Sequence, residues 1–277
     1  MEKDQLWKNM KGKKMIGQKN NINTLIQWRC NKSVPRFIII SGALGSGRLT
    51  LAKVIIKMIN AHGVIMGNSI DEVRKTIENA YMITEPTCYI FRNADDMRAE
   101  AKNALLKVVE EPPNNAYFIM TVENIDNMLG TIKSRGTVIS MEPYSQKELR
   151  SVCADDFILQ YASTIADTQR DRKELEITEH CVLDVIDGMK AKSGTKILKA
   201  TTQLRSKATE TDKIDCLLFM LMFKAELLHH PELYNQNSLK HLVKCTQELQ
   251  RMSVNKKASI ECMLVSLLEE IKNADIS

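Results

Sequence analysis

Phe37-Ile38-Ile39-Ile40-Ser41-Gly42-Ala43-Leu44-Gly45-Ser46-Gly47-Arg48-Leu49-Thr50 is the stretch on which the fold turns. A continuous apolar run such as 37–40 reads as a strand buried on both faces by crossover helices. Gly42, Gly45 and Gly47 follow it, and residues 51–60 carry a helical pattern. Strand, glycine loop and helix, in that order, make a phosphate-binding loop, where small residues let backbone N–H groups converge on an anion at a helix N-terminus. Gly42, Gly45, Ser46, Gly47, Arg48 and Thr50 are therefore the candidate cofactor-binding residues. Two side chains depart from that chemistry. The place of the phosphate-clamping lysine holds Arg48, and the place of the metal-binding hydroxyl holds Leu49.

The pattern continues outward in both directions. Cys88-Tyr89-Ile90-Phe91 and Tyr117-Phe118-Ile119-Met120 read as further buried strands. Between the first two strands lies a helix capped by Ser69 or Asp71, with Val73 and Ile77 inward, ending before Pro86. Residues 98–111 form a second helix with a firm stop at Pro112-Pro113. Strands alternating with helices predict a parallel α/β sheet. In a mononucleotide-binding fold the residue after the second strand is an acid that holds Mg²⁺, followed by a glutamate that activates water. This chain has Arg92 and Asn93 there. Towards the N-terminus, Met15-Ile16-Gly17-Gln18 precedes a short amphipathic helix carrying Ile22, Leu25, Ile26 and Trp28, broken at Val34-Pro35.

From Ser145 onward strand signals vanish, and helices are predicted at 146–161, 177–190, 195–204, 214–228, 238–251 and 257–272, punctuated by Pro231 and the Asn255 region. Phe219, Met222 and Phe223 form an apolar stripe that predicts core or subunit contact. The fold class is thus α/β followed by all-α, divided at 1–143, 144–206 and 207–277.

At 277 residues, 44% hydrophobic and 26% charged, the chain suits two or three globular domains. Its seven cysteines include no C-x-x-C pair, which predicts reduced, mostly buried thiols and no metal site. No apolar run is long enough to span a membrane, and residues 1–14 lack the apolar core of a signal peptide, so a cytoplasmic protein is expected. A formal charge of +5 and a pI near 8.7 suit an acidic partner such as nucleic acid, and equally suit a basic surface with no such partner.

Several segments carry a family resemblance. Ala101-Lys102-Asn103-Ala104-Leu105-Leu106-Lys107-Val108-Val109-Glu110-Glu111-Pro112-Pro113 is close to an N-A-L-L-K-x-x-E-E-P signature. Thr131-Ile132-Lys133-Ser134-Arg135 resembles a T-I-x-S-R-C motif, with Gly136 for the cysteine. With Met15-Ile16-Gly17-Gln18 and residues 255–267, these make the chain resemble the clamp-loader branch of the AAA+ ATPases, which open a ring-shaped sliding clamp and close it on primed DNA. The resemblance implies an AAA+ parallel-sheet nucleotide-binding domain at 1–143, a small helical lid domain at 144–206 and a helical C-terminal collar for oligomerisation at 207–277. It also implies a heteromeric ring whose partners are other clamp-loader subunits, the sliding clamp and primer-template DNA, with no membrane.

Departures from the family pattern narrow the expectation. Arg48, Leu49, Arg92 and Asn93 remove phosphate clamp, metal ligands and base together, Thr50 stands one residue late, and residues 51–68 lack the family's four-cysteine zinc module. Ser134 and Arg135 are kept. In the family that arginine is supplied in trans to ATP on the neighbouring subunit. The combination resembles the delta-prime type of DNA polymerase III subunit. It implies no intrinsic ATPase, no tightly bound cofactor, and ATP with Mg²⁺ on the neighbour, residual nucleotide in the degenerate loop remaining open.

Arg98, Lys102 and Lys107 lie on a helix that lines the DNA channel in the family, although a solvated helix face fits them as well. Glu123 stands near the γ-phosphate sensor position, where an acid suits a structural role, and Lys196 or Lys199 stands near the second sensor. His229-His230 before Pro231 suits compensation of a helix dipole. Two other readings stay open: an active ATPase in which Asp95 or Asp96 supplies the metal-linked acid, and a nucleotide-independent DNA-binding adaptor.

Overall fold

The apolar run around Ile39 becomes β1 (Phe37–Ser41), buried along its whole length. It lies inside a five-stranded sheet with β2 (His62–Met66), β3 (Thr87–Phe91), β4 (Ala116–Val122) and β5 (Thr137–Ser140), in the order β2-β3-β4-β1-β5. Every pairing is parallel, with Ile39 opposite Met120 and Val138, and Ile90 opposite Ile119. This computed structural model describes residues 15–206, 213–249 and 254–274. The expectations for residues 1–14, for the end of the helix at 238–251 and for the division between 206 and 207 lie outside the described residues.

Strand alternation explains why the apolar runs are continuous. Phe37 and Ile39 join Tyr89, Phe91, Phe118 and Met120 in one cluster, while Ile38 and Ile40 join Cys88, Ile90 and Ile119 in another on the opposite face. The first cluster is covered by α3 (Ile70–Met82), through Val73 and Ala80, and by α4 (Ala99–Glu110), through Ala101, Leu105, Val108 and Val109. The second is covered by α1 (Lys19–Cys30), through Leu25, and by α2 (Arg48–Met58), through Leu51, Ala52, Ile55 and Ile56. Burying each such side chain contributes about 1.5–3 kcal/mol, so the two-faced central strands hold the sheet.

The sequence reading found β1, β3 and β4 and missed β2 and β5. Both missed strands are short sheet edges with largely exposed residues, and their apolar runs stop at three residues in β2, Val64-Ile65-Met66, and two in β5, Val138-Ile139. Short α5 (Gly130–Lys133) leads into the last of them.

The helix expected over 146–161 is two helices, α6 (Gln146–Arg150) and α7 (Asp156–Tyr161). Local capping explains the division. Ser145 and Glu148 close a capping box at the first, and the Asp155 carboxylate accepts from the Phe157 N–H at 2.9 Å at the second. Likewise Asp171 caps α8 (Arg172–Lys190), so that helix begins earlier than the apolar pattern alone suggests. There follow α9 (Gly194–Thr201), α10 (Cys216–Leu227), α11 (Gln236–Leu249) and α12 (Lys256–Ala274).

Contacts group the chain into two compact units: residues up to Ala154 with Ala162–Thr168, and Asp155–Tyr161 with the chain from Gln169. In the helical unit α10 is apolar nearly all round, with Phe219, Met222 and Phe223 buried as expected and the two phenyl rings stacked at 5.8 Å. No helix among the described residues is long and apolar enough to cross a membrane.

Gly136 ties the turn before β5 to the sheet. A Cβ here would approach Ile39 Cδ1 to 2.8 Å and Phe37 Cε1 to 3.0 Å, both on buried side chains. Gly136→Cys, which restores the resembled motif, is therefore expected to destabilise the protein by about 1–3 kcal/mol. Urea unfolding checks this: the midpoint falls at unchanged slope, whereas an unmoved midpoint contradicts the packing described.

Candidate functional site

The glycine loop leaves the C-terminal end of β1 and enters α2, with Gly45 and Gly47 at φ +82° and +92°, where other residues are strained. Its glycines are packed against protein. A Cβ on Gly42 would lie 2.6 Å from Met141 Cβ. One on Gly45 would lie 2.7 Å from both Thr164 Oγ1 and Ala166 Cβ. The Tyr144 hydroxyl donates to the Ser46 carbonyl at 2.8 Å, and burial raises its pKa. Thr164 is held in turn by Asp167, whose carboxylate accepts from the Thr164 N–H at 2.9 Å and from its hydroxyl at 2.8 Å. Thr50 is exposed on α2.

Arg48 is 6% exposed, so its guanidinium lies inside the site. Its Nη2 donates to Asn93 Oδ1 at 3.4 Å, the residue that stands where the catalytic glutamate would be. Burial, the largest influence, lowers its pKa, and the negative charges of Glu123 and Asp95 act against that shift. Arginine remains charged at neutral pH in such a setting, so the loop holds a cation of its own. Asn93 adopts a left-handed backbone, φ +48°, and its N–H donates to Thr121 Oγ1 at 3.2 Å. Asn68 reaches the same place, donating to the Arg92 carbonyl at 2.8 Å.

Ser46 Oγ and Arg48 Nη1 are buried without a hydrogen-bond partner. Donors that suit an anion thus persist. At Leu49, Arg92 and Asn93, by contrast, no side chain offers an anionic or hydroxyl oxygen. The residues present do not fit a metal-bound nucleotide. Asp95 is engaged through one oxygen: its Oδ2 accepts from the Glu123 and Asn124 N–H groups at 2.9 and 3.3 Å, tying the end of β4 to the turn after β3, while its Oδ1 is buried without a hydrogen-bond partner. The Asp96 carboxyl is pushed up, first by burial and then by Asp95. Among the described residues no group of three or more His, Cys, Asp or Glu could hold a metal ion.

Lys102 is not on the surface of α4 with the other two basic residues. It is 5% exposed, and its Nζ donates to the Asp95 carbonyl at 2.9 Å and the Asn127 carbonyl at 3.3 Å. Burial lowers its pKa, while Asp95 and Asp96 pull it back. This corrects the grouping of Lys102 with Arg98 and Lys107 as a DNA-facing set, since a buried, bonded ammonium presents no charge to a phosphate. Arg98 and Lys107 are exposed.

Ser134 and Arg135 stand on the exposed turn between α5 and β5. The Ser134 hydroxyl and Arg135 Nη1 both donate to the Thr131 carbonyl, at 3.1 and 2.9 Å, and Arg135 Nε lies 3.2 Å from Glu110 Oε2. The motif reading found Arg135 but not Glu110, although the glutamate belongs to the E-E-P signature. Lys196 and Lys199 are exposed on α9. His229 and His230 sit 3.6 and 3.4 Å from the Glu226 carboxylate, and His230 also 3.3 Å from Glu232, at the end of α10.

A family model described as DNA polymerase III, delta subunit, matches residues 55–145. DNA polymerase III subunit gamma of Buchnera aphidicola subsp. Schizaphis graminum is 22% identical over 174 residues, 52% of this chain and 48% of that protein. DNA polymerase III subunit delta' of Bacillus subtilis (strain 168) is 36% identical over 61 residues, 22% of this chain and 18% of that protein. The chain spans about half the length of the gamma relatives it matches. A crystal structure of a DNA polymerase III gamma subunit-related protein from Thermotoga maritima superposes with a TM-score of 0.54 at 16% identity, over 89% of this chain and 99% of that one, a likeness of fold.

The parallel sheet order, the glycine loop and the helical C-terminal part give the chain the fold of an AAA+ α/β domain followed by helices. Within that class the similarities support a clamp-loader subunit, since the DNA polymerase III delta subunit model matches residues 55–145 and the gamma and delta' proteins are similar over part of their length.

Lys102→Ala leaves the carbonyls of Asp95 and Asn127 without their buried donor, and is expected to cost about 1–3 kcal/mol of stability. Lys107→Ala, on the exposed face, should fall within about 0.5 kcal/mol of wild type. Paired urea titrations check the difference, and equal effects would contradict the placement of Lys102.

Proposed function

We propose that this chain is a non-hydrolysing clamp-loader subunit of the delta-prime kind. It assembles in a heteromeric ring in the cytoplasm, supplies Arg135 to ATP on a neighbouring subunit, and helps load a sliding clamp on primer-template DNA. The observation that carries the reading is the buried Arg48 guanidinium bonded to Asn93, with Leu49 beside it. A site arranged around its own cation, with Arg92 and Asn93 directly after β3 in place of the acid and the base, lacks the groups that align and activate water on a phosphate. No tightly held cofactor follows from it, and the metal and nucleotide are the neighbour's.

Arg135 supports the other half. It stands exposed on a turn braced by Thr131 and Gly136, beside Ser134, which is where a guanidinium can reach a second subunit. A cation brought to developing phosphoryl charge stabilises the transition state without chemistry of its own. The helical unit supports assembly: Leu227, Leu228, Tyr234, Leu239, Leu242 and Val243 line an apolar groove of about 400 Å³, with Leu228 67% exposed, a surface suited to packing against another subunit's helices. Arg98 and Lys107 remain the basic residues of α4 that could meet DNA phosphates.

In the reconstituted complex, Arg135→Ala is expected to reduce clamp- and DNA-stimulated ATP turnover on the order of 100-fold or more. Steady-state phosphate release measures it. Turnover equal to wild type overturns the trans role.

A further inference from the structure

Resting on that role for Arg135, we infer that Glu110 is its positioning residue: it holds the guanidinium folded back on its own subunit and must let go before the arginine can act. The argument starts from the geometry of the arginine fork. A guanidinium grips a phosphoryl group through two parallel N–H donors, either the side-on pair of Nε and Nη2 or the end-on pair of Nη1 and Nη2. Here Nε is 3.2 Å from Glu110 Oε2, and Nη1 donates to the Thr131 carbonyl at 2.9 Å. Each pair has one member committed within the chain, so neither fork is whole until one of these contacts breaks.

The two contacts differ in kind. Thr131 belongs to α5, the same short segment that carries the turn, so its carbonyl moves with Arg135. Glu110 is the last residue of α4 and approaches from a different element. Its side chain is 55% exposed and that of Arg135 31% exposed, so the ion pair is solvent-screened and weak. That is the character of a catch that opens when a better anion arrives. Gly136 bears on the same point, because the close approach of this turn to Phe37 and Ile39 fixes the base of the side chain and leaves its tip as the part that moves. Glu110 therefore lowers the fraction of Arg135 ready to engage, and lowers the neighbour's turnover by that fraction.

Glu110→Gln removes the charge and keeps the shape at an exposed position. In the reconstituted complex without clamp or DNA, it is expected to raise the kcat of the neighbour's ATP hydrolysis about two- to fivefold, the range of a screened ion pair. KM for ATP is expected to stay unchanged, the gain to shrink as salt is raised, and the gain to be absent in an Arg135→Ala background. An unchanged or lowered kcat, or the same gain without Arg135, overturns the inference. Arg135→Ala alone reports separately on the trans role: if it abolishes turnover while Glu110→Gln, made with Arg135 present, changes nothing, the catch is refuted and the role stands, whereas no effect of Arg135→Ala overturns both.

Discussion

The buried guanidinium of Arg48 organises the strand ends of this α/β unit. Arg48 enters from the first turn of α2, bonds Asn93 after β3, and lies in the field of Glu123 at the end of β4 and Asp95 in the turn after β3. A charge with 6% exposure is tolerated only where opposite charge and hydrogen bonds offset its lost hydration. Around it the loops are tied by further polar contacts: Asp95 to the N–H groups after β4, Lys102 to the carbonyls on either side, and Asn68 to the turn after β3. In an AAA+ motor the corresponding place is organised by metal and phosphate that come and go. A guanidinium fixed to the chain gives the same place a permanent occupant.

The glycines of the loop fit that account. Their lack of Cβ is used by Met141, Thr164, Ala166 and Tyr144, which pack onto the loop from the segments after β5 and after α7. The turn that carries Arg135 is shaped by Thr131 and by Gly136 against β1, away from that loop. The glycine loop at one end of β1 and the exposed arginine turn at the other are therefore shaped by separate contacts.

Most of the fold was legible in the sequence because the central strands are buried on both faces and read as unbroken apolar runs. The edge strands β2 and β5 were not, since short, largely exposed strands with apolar runs of only two or three residues look like loops. Helix beginnings at Asp155 and Asp171 were carried by single capping carboxylates, which an apolar periodicity does not register. In the site, the substitutions at Arg48, Leu49, Arg92 and Asn93 were plain from alignment with the loop pattern. The burial of Lys102 was not, because its charge suggested a solvated face. The usable signal was its position next to Ala101 and three residues before Leu105, on the inward arc of α4. Glu110 and Arg135 are distant in sequence, so only the fold brings them together.

The central claim is that the loop's own cation has replaced the metal-bound nucleotide. Titration calorimetry of Mg-ATP into the isolated chain addresses it most directly. The account predicts no saturable heat up to about 1 mM ligand, with or without Mg²⁺. Magnesium-dependent, saturable binding with a dissociation constant in the micromolar range would contradict it.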